Sequence, residues 1–148
     1  MDLILWRHAE AVDGAPDHER ELTAKGSKQA AKVASLLHQH LPDKLRILVS
    51  PAIRAQQTAS ALTGHFTLAP TISPGASAEA VLHAARWPDA GGTVLVVGHQ
   101  PTLGEVAAQL LGCADAPLSI KKGAIWWLSQ KEGNEQVALR LVISPDFL

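Results

Sequence analysis

The sequence predicts an α/β layer fold built on an open sheet. Short aliphatic and β-branched runs alternate with stretches of helical periodicity, the pattern of strands covered by helices. One run, Thr93-Val94-Leu95-Val96-Val97, is apolar throughout, as a central strand buried on both faces must be. The chain has 148 residues, 47% hydrophobic and 18% charged, enough apolar content for one real core. With no repeats, linkers or low-complexity segments, a single domain over residues 1–148 is expected.

The elements follow in order. A first strand runs from about Asp2 to Trp6, and a polar loop containing Gly14 and Pro16 extends from Arg7 to Leu22. Thr23 is placed to N-cap a helix to about Leu41, with Ala30, Val33, Ala34, Leu37 and Leu41 on one stripe and Pro42 ending it. A second strand spans Leu45 to Val49. Ser50 as N-cap and Pro51 at the first helical position then open a helix to about Leu62, with Gly64 as its stop. Thr67 to Ile72 reads as a short strand. Ser77 opens a helix through Trp87, with Ala80, Val81, Ala84 and Ala85 inward. After the strand at Thr93–Val97, Pro101 opens a helix to Leu111. Strands at Ala124–Leu128 and Gln136–Ile143 close the chain as a hairpin around Gly133-Asn134. Trp126 and Trp127, adjacent in a strand, face opposite sides; one serves as a contact surface or both pack in the core.

Charge excludes some classes of function. The net charge of −1 gives no bulk electrostatic case for nucleic acid or membrane binding. No apolar run approaches the length of a membrane span. The single cysteine, Cys113, permits neither an intramolecular disulfide nor a multi-thiolate metal site and reads as a packed residue. Met1-Asp2-Leu3 passes directly into a strand without a basic leader, so a cytoplasmic protein is expected.

The chemistry sits at the strand ends. Three hydrophobic runs lead into Arg7-His8, into Ser50-Pro51 with Arg54 just beyond, and into Gly98-His99. In an open α/β sheet, ligands bind outside the carboxyl ends of the strands. There, two guanidiniums hold an anion and an imidazole attacks it, which is a phosphoryl-transfer site. A neutral imidazole is competent when one ring nitrogen is free and the other is held by an acceptor. Taken singly, each feature also has an ordinary reading: a strand-end Arg-His pair, a solvated helix arginine, a capped loop histidine. A metal site of His8, His99 and Glu10 is disfavoured, because the two arginines repel a dication and no dense ligand motif is present. Arg20 reads as a buttress of the first loop. The remaining histidines have no partner pattern; His38 and His40 sit where a helix end favours cations.

Four segments together resemble a known family. They are Leu5-Trp6-Arg7-His8-Ala9-Glu10, Arg20 to Gly26, Val49-Ser50-Pro51-Ala52-Ile53-Arg54 through Gln57-Thr58-Ala59, and Val97-Gly98-His99-Gln100-Pro101-Thr102-Leu103. In order and spacing they look like the blocks of the histidine phosphatase superfamily, or phosphoglycerate mutase-like fold, and are most similar to its SixA-type phosphohistidine phosphatases. The resemblance implies a three-layer α/β/α sandwich with a mostly parallel central sheet. It implies His8 as the phosphorylated nucleophile, with Arg7, Arg54 and His99 forming the phosphate pocket. It implies no metal or organic cofactor. One departure is Ala9, where the family commonly has glycine, tolerable if φ stays negative.

The stretch between Arg54 and His99 is short and has only Glu79 and Asp89 as acids. It lacks the lid insertion of mutases, so a mutase is disfavoured. Glu79 and Glu10 are the candidate general acids. An open pocket suits a macromolecular substrate, a phosphohistidine protein domain, whose imidazole leaves readily once protonated. The alternative is a small-molecule phosphomonoesterase, for a sugar- or nucleotide-related phosphate ester, which needs a stronger acid. A non-catalytic phosphate-binding module is a third reading, against which His8 itself speaks.

Overall fold

A computed structural model describes residues 1–116 and 118–148. One six-stranded sheet forms the centre: β1 (Asp2–Arg7), β2 (Leu45–Val49), β3 (Thr67–Leu68), β4 (Thr93–Gly98), β5 (Ile125–Gln130) and β6 (Val137–Ile143), in the order β3-β2-β4-β1-β5-β6. The four strands β3, β2, β4 and β1 are mutually parallel; β5 and β6 join antiparallel. The sheet is thus mostly parallel, with a hairpin at one edge.

Period-two alternation divides the core into two layers. Leu3 and Leu5 of β1 pack on one face with Val94 and Val96 of β4; Ile4 and Trp6 pack on the other with Leu95 and Val97. All eight are fully buried, which is why these strands read as continuous apolar runs. Helices α1 (Ala24–His40) and α2 (Ile53–Ser60) cover the Ile4 face through Val33, Ala34, Leu37, Ala55 and Ala59. Helices α3 (Ala78–Ala85) and α4 (Thr102–Leu110) cover the Leu3 face through Val81, Ala85, Leu103, Val106 and Ala107. The result is the three-layer α/β/α arrangement.

Thr23 caps α1, its hydroxyl accepting from the Gly26 N–H, and four members of the expected stripe, Ala30 to Leu37, are buried, while Leu41 is half-buried beyond the helix. Three elements differ most from the sequence reading. Helix α2 begins at Ile53 rather than Pro51 and ends at Ser60 rather than Leu62; Ser50 does not cap it, its hydroxyl bonding His99 and accepting from the Ala52 N–H. Only Thr67–Leu68 is strand; Pro70, which has no N–H to donate to a ladder, starts a 3-10 turn over Pro70–Ile72. Helix α3 stops at Ala85, where Arg86 adopts a left-handed conformation (φ 57°) and terminates it. Its inner side is Ala78, Val81 and Ala85, with Ala80 and Ala84 at the margin.

Parallel pairing sets the functional end of the sheet. The register places Arg7 opposite Gly98 and Val49 opposite Val97, so β1, β4 and β2 end side by side. The tryptophans do face opposite ways. Trp127 is buried, donates to Asp2 Oδ2 at 2.9 Å and lies beneath the Arg140 guanidinium. Trp126 is half-buried on the α3/α4 side. No helix is long and apolar enough to cross a membrane among the described residues.

Candidate active site

His8 leaves the end of β1 with its backbone tied on both sides. Its N–H donates to the Gly98 carbonyl at 3.0 Å and its own carbonyl accepts from Gly123 at 3.1 Å. The ring is buried. Nδ1 lies 2.8 Å from the Ala9 carbonyl, which only accepts, so Nδ1 carries the proton and Nε2 holds the free lone pair in the neutral ring. Arg54 Nε donates to that Nε2 at 3.3 Å. Burial, with the guanidiniums of Arg54 and Arg7 adding to it against the pull of the Ala9 carbonyl, drives His8 down to about 4. The imidazole is therefore neutral at pH 7.

His99 stands across from it, the ring centroids 5.2 Å apart. Its Nε2 is 2.7 Å from Ser50 Oγ, and its Nδ1 faces Arg54 Nη2 at 3.5 Å. A guanidinium cannot accept, so Nδ1 is the acceptor and Nε2–H donates to the Ser50 hydroxyl. Burial, then His8 and Arg54, push His99 down to about 3, with Asp17 opposing.

Arg54, 4% exposed, reaches the site from the first turn of α2. Besides the two histidines it donates to the Asp17 carbonyl at 2.8 Å and to Asp17 Oδ2 at 3.1 Å. Arg7 donates through Nη1 to the Ile120 carbonyl at 2.9 Å. Among the described residues, Arg7 Nε is a buried polar atom with no hydrogen-bond partner. An orphaned cationic donor beside His8 is what an anion would satisfy. The structure thus brings together all four residues picked out at the strand ends: Arg7, His8, Arg54 and His99.

The surrounding loops are locked to this cluster. The Ala9 N–H donates to Thr58 Oγ1, whose hydroxyl donates to the Arg54 carbonyl, so α2 fixes both the His8 loop and Arg54. Ala9 is fully buried, and the sole non-glycine residue with positive φ among the described residues is Arg86, so the methyl group at position 9 meets no backbone strain. The Thr23 N–H donates to the Glu10 carbonyl at 3.0 Å, and a Cβ on Gly26 would lie 2.0 Å from that same oxygen. This close approach is what the glycine at the head of α1 permits. Arg20 is the expected buttress, donating to the Val12 carbonyl at 2.7 Å and to Asp17 Oδ1 at 3.0 Å.

Two residues that bear on the site were not singled out in the sequence. Asp17 links Arg20 to Arg54, and Ser50, read there as a helix cap, holds His99. Neither candidate acid is hydrogen-bonded to the four residues: Glu10 Oε2 accepts from the Thr23 hydroxyl at 2.8 Å, and Glu79 is exposed in the first turn of α3. Glu10 also does not complete a metal set with the two histidines, and no group of three possible metal ligands occurs among the described residues. A cleft of about 700 Å³ at the opposite end of the sheet, between Met1, Gly92, Gln130 and Asn134, contains neither histidine nor arginine and is unrelated to this chemistry.

Comparison with known proteins agrees with this geometry. The family model described as Histidine phosphatase superfamily (branch 1) matches residues 3–77. A Haemophilus influenzae protein named phosphohistidine phosphatase SixA homolog is 35% identical over 98% of this chain and 97% of its own length. The Escherichia coli phosphohistidine phosphatase SixA is 30% identical over 74% of each chain. The solved structure of the protein histidine phosphatase SixA complexed with tungstate superposes with a TM-score of 0.83 at 25% identity, covering 99% of both chains. The chain belongs to branch 1 of the histidine phosphatase superfamily, in its SixA-type group, and is a phosphatase.

Proposed function

We propose that this enzyme hydrolyses phosphohistidine on a protein partner through a covalent phosphohistidine intermediate on His8. The observation that carries this reading is the tautomer of His8: Nδ1–H is held by the Ala9 carbonyl, and Nε2 presents a lone pair among the arginines. The phosphoryl group enters with its oxygens on Arg54 and on the unpartnered Nε of Arg7. The His8 Nε2 lone pair attacks phosphorus while the partner's P–N bond breaks. The departing imidazole, protonated on its other nitrogen, leaves neutral, so no strong dedicated acid is required. His99, accepting from Arg54 Nη2 and donating to Ser50, holds the Arg54 fork where charge builds on the phosphoryl oxygens. Water then attacks the phosphoryl group on His8, releasing inorganic phosphate and restoring Nε2.

The relatives' names point to phosphohistidine, and the tungstate of the solved SixA structure is a tetrahedral oxyanion. The placement of Glu79 and Glu10 weighs against the small phosphate ester, whose alkoxide needs an acid held at the leaving group. Brief incubation with a radiolabelled phosphohistidine protein tests the reading. Phosphate release with an acid-labile, base-stable label on wild type and none on His8→Ala is the expected result. No label and no release, with alkyl phosphates hydrolysed in a Glu79-dependent manner, would turn the assignment to the ester.

A further inference from the structure

A concavity of about 440 Å³ is lined among others by Lys121, Ala124, Trp126, Val142, Ile143 and Phe147. It lies at the catalytic end of the sheet. β5 runs antiparallel to β1, so Ala124 and Ile125 sit where β1 ends, and β6 finishes beside them with Ile143 opposite Ile125. The segment that lines it also holds the site. The Ile120 carbonyl holds Arg7, and Gly123 N–H bonds to the carbonyls of Arg7 and His8. Beyond that segment, Phe147 is 79% exposed and Val142 45% exposed, an apolar surface that neither α3 nor α4 covers. Lys121 of its lining and the adjacent Lys122 are exposed. The acid of the C-terminal turn, Asp146, is engaged by the Ser144 hydroxyl.

We propose that this groove is the docking surface for the macromolecular substrate: an acidic helix that carries the phosphohistidine, an inference that rests on the phosphohistidine reading above. An apolar side chain near the phosphohistidine on the partner's helix enters between Trp126, Val142 and Phe147. Carboxylates flanking it meet Lys121 and Lys122. The exposed lysines, on the segment that holds Arg7, favour this occupant. A second copy docked by two-fold symmetry would set this lysine-bearing patch against itself.

The probes are two synthetic helical peptides bearing one phosphohistidine and a neighbouring leucine, one flanked by glutamates and the other by lysines, with free phosphohistidine as the small control. The expected result is a kcat/KM about tenfold higher on the acidic peptide, the factor that two rim charges supply. The doubly substituted Lys121→Glu, Lys122→Glu protein should lose or invert that preference. Phe147→Ala should lower kcat/KM on the acidic peptide roughly threefold to tenfold, since a core aromatic of an interface outweighs its rim. All variants should hydrolyse free phosphohistidine within about twofold of wild type. Equal rates on both peptides, equal losses on free phosphohistidine, or a wild-type dimer in sedimentation that Phe147→Ala dissociates would each overturn the proposal. Failure of the wild type on all three compounds would instead sink the phosphohistidine reading, and this inference with it.

Discussion

Lowering the pH from 8 to 5 should unfold this protein more easily through two histidines alone. His8 and His99 are held near 4 and 3 in the fold against 6.5 for an ordinary histidine. Between those values the unfolded chain binds more protons than the native one, so stability rises with pH across that window. Above about pH 6.5 both states are neutral at these positions and nothing is gained or lost. At pH 5 the unfolded state has taken up nearly two protons that the native state refuses, a cost of about 2 kcal/mol for each ring and about 4 kcal/mol together. Asp2 and Asp17, whose carboxyls are held below their ordinary value, contribute only at still lower pH. Urea unfolding followed by the fluorescence of the four tryptophans measures the difference directly. His99→Gln should remove roughly half of the pH dependence while leaving the rest. A stability that changes by less than about 1 kcal/mol between pH 8 and pH 5 would refute the claim that these imidazoles are held neutral by burial among cations.

Other consequences can be measured on the same protein. Arg54→Ala should lower kcat/KM by about 100- to 1,000-fold, the usual cost of a lost transition-state donor, with Arg54→Lys only partly restoring it. Gly26→Ala should cost about 1–3 kcal/mol of stability in thermal unfolding, because its Cβ would collide with the Glu10 carbonyl and displace the His8 loop. Asp17→Ala should leave stability nearly unchanged, since Asp17 is exposed, yet lower kcat/KM roughly threefold to tenfold by releasing the Arg54 fork from its set orientation. Saturating phosphate at pH 7 should raise the thermal midpoint of wild type and leave that of Arg7→Ala almost unmoved, as the unpartnered Arg7 Nε implies.

The strands carrying the site were legible because burial on both faces leaves no polar alternation to misread: Leu3 to Trp6 and Val94 to Val97 admit only apolar residues. Helix α1 was legible from a hydroxyl cap and a stripe that the fold uses as written. The four site residues were legible because each directly follows such a strand or the turn after it. Ser50 was misassigned since a serine before proline suits a helix cap and a buried hydrogen-bond acceptor equally well; only the proximity of β2 and β4 decides between them. Asp17 lies in a loop without periodicity, and nothing local reveals that its turn folds back over α2. The strand order likewise depends on pairings between distant segments, such as β1 with β4, that no local pattern encodes.

The placement of the site on β1, β2 and β4 also bears on how the protein loses activity. These central strands should be the last to exchange their amide hydrogens, because opening them exposes both core layers at once. Fraying of the edge strand β6 or of the C-terminal turn leaves His8, Ser50 and His99 hydrogen-bonded to one another's strands. The phosphate pocket persists as long as the sheet does, while the C-terminal turn that borders the groove can loosen without touching the strands that carry it.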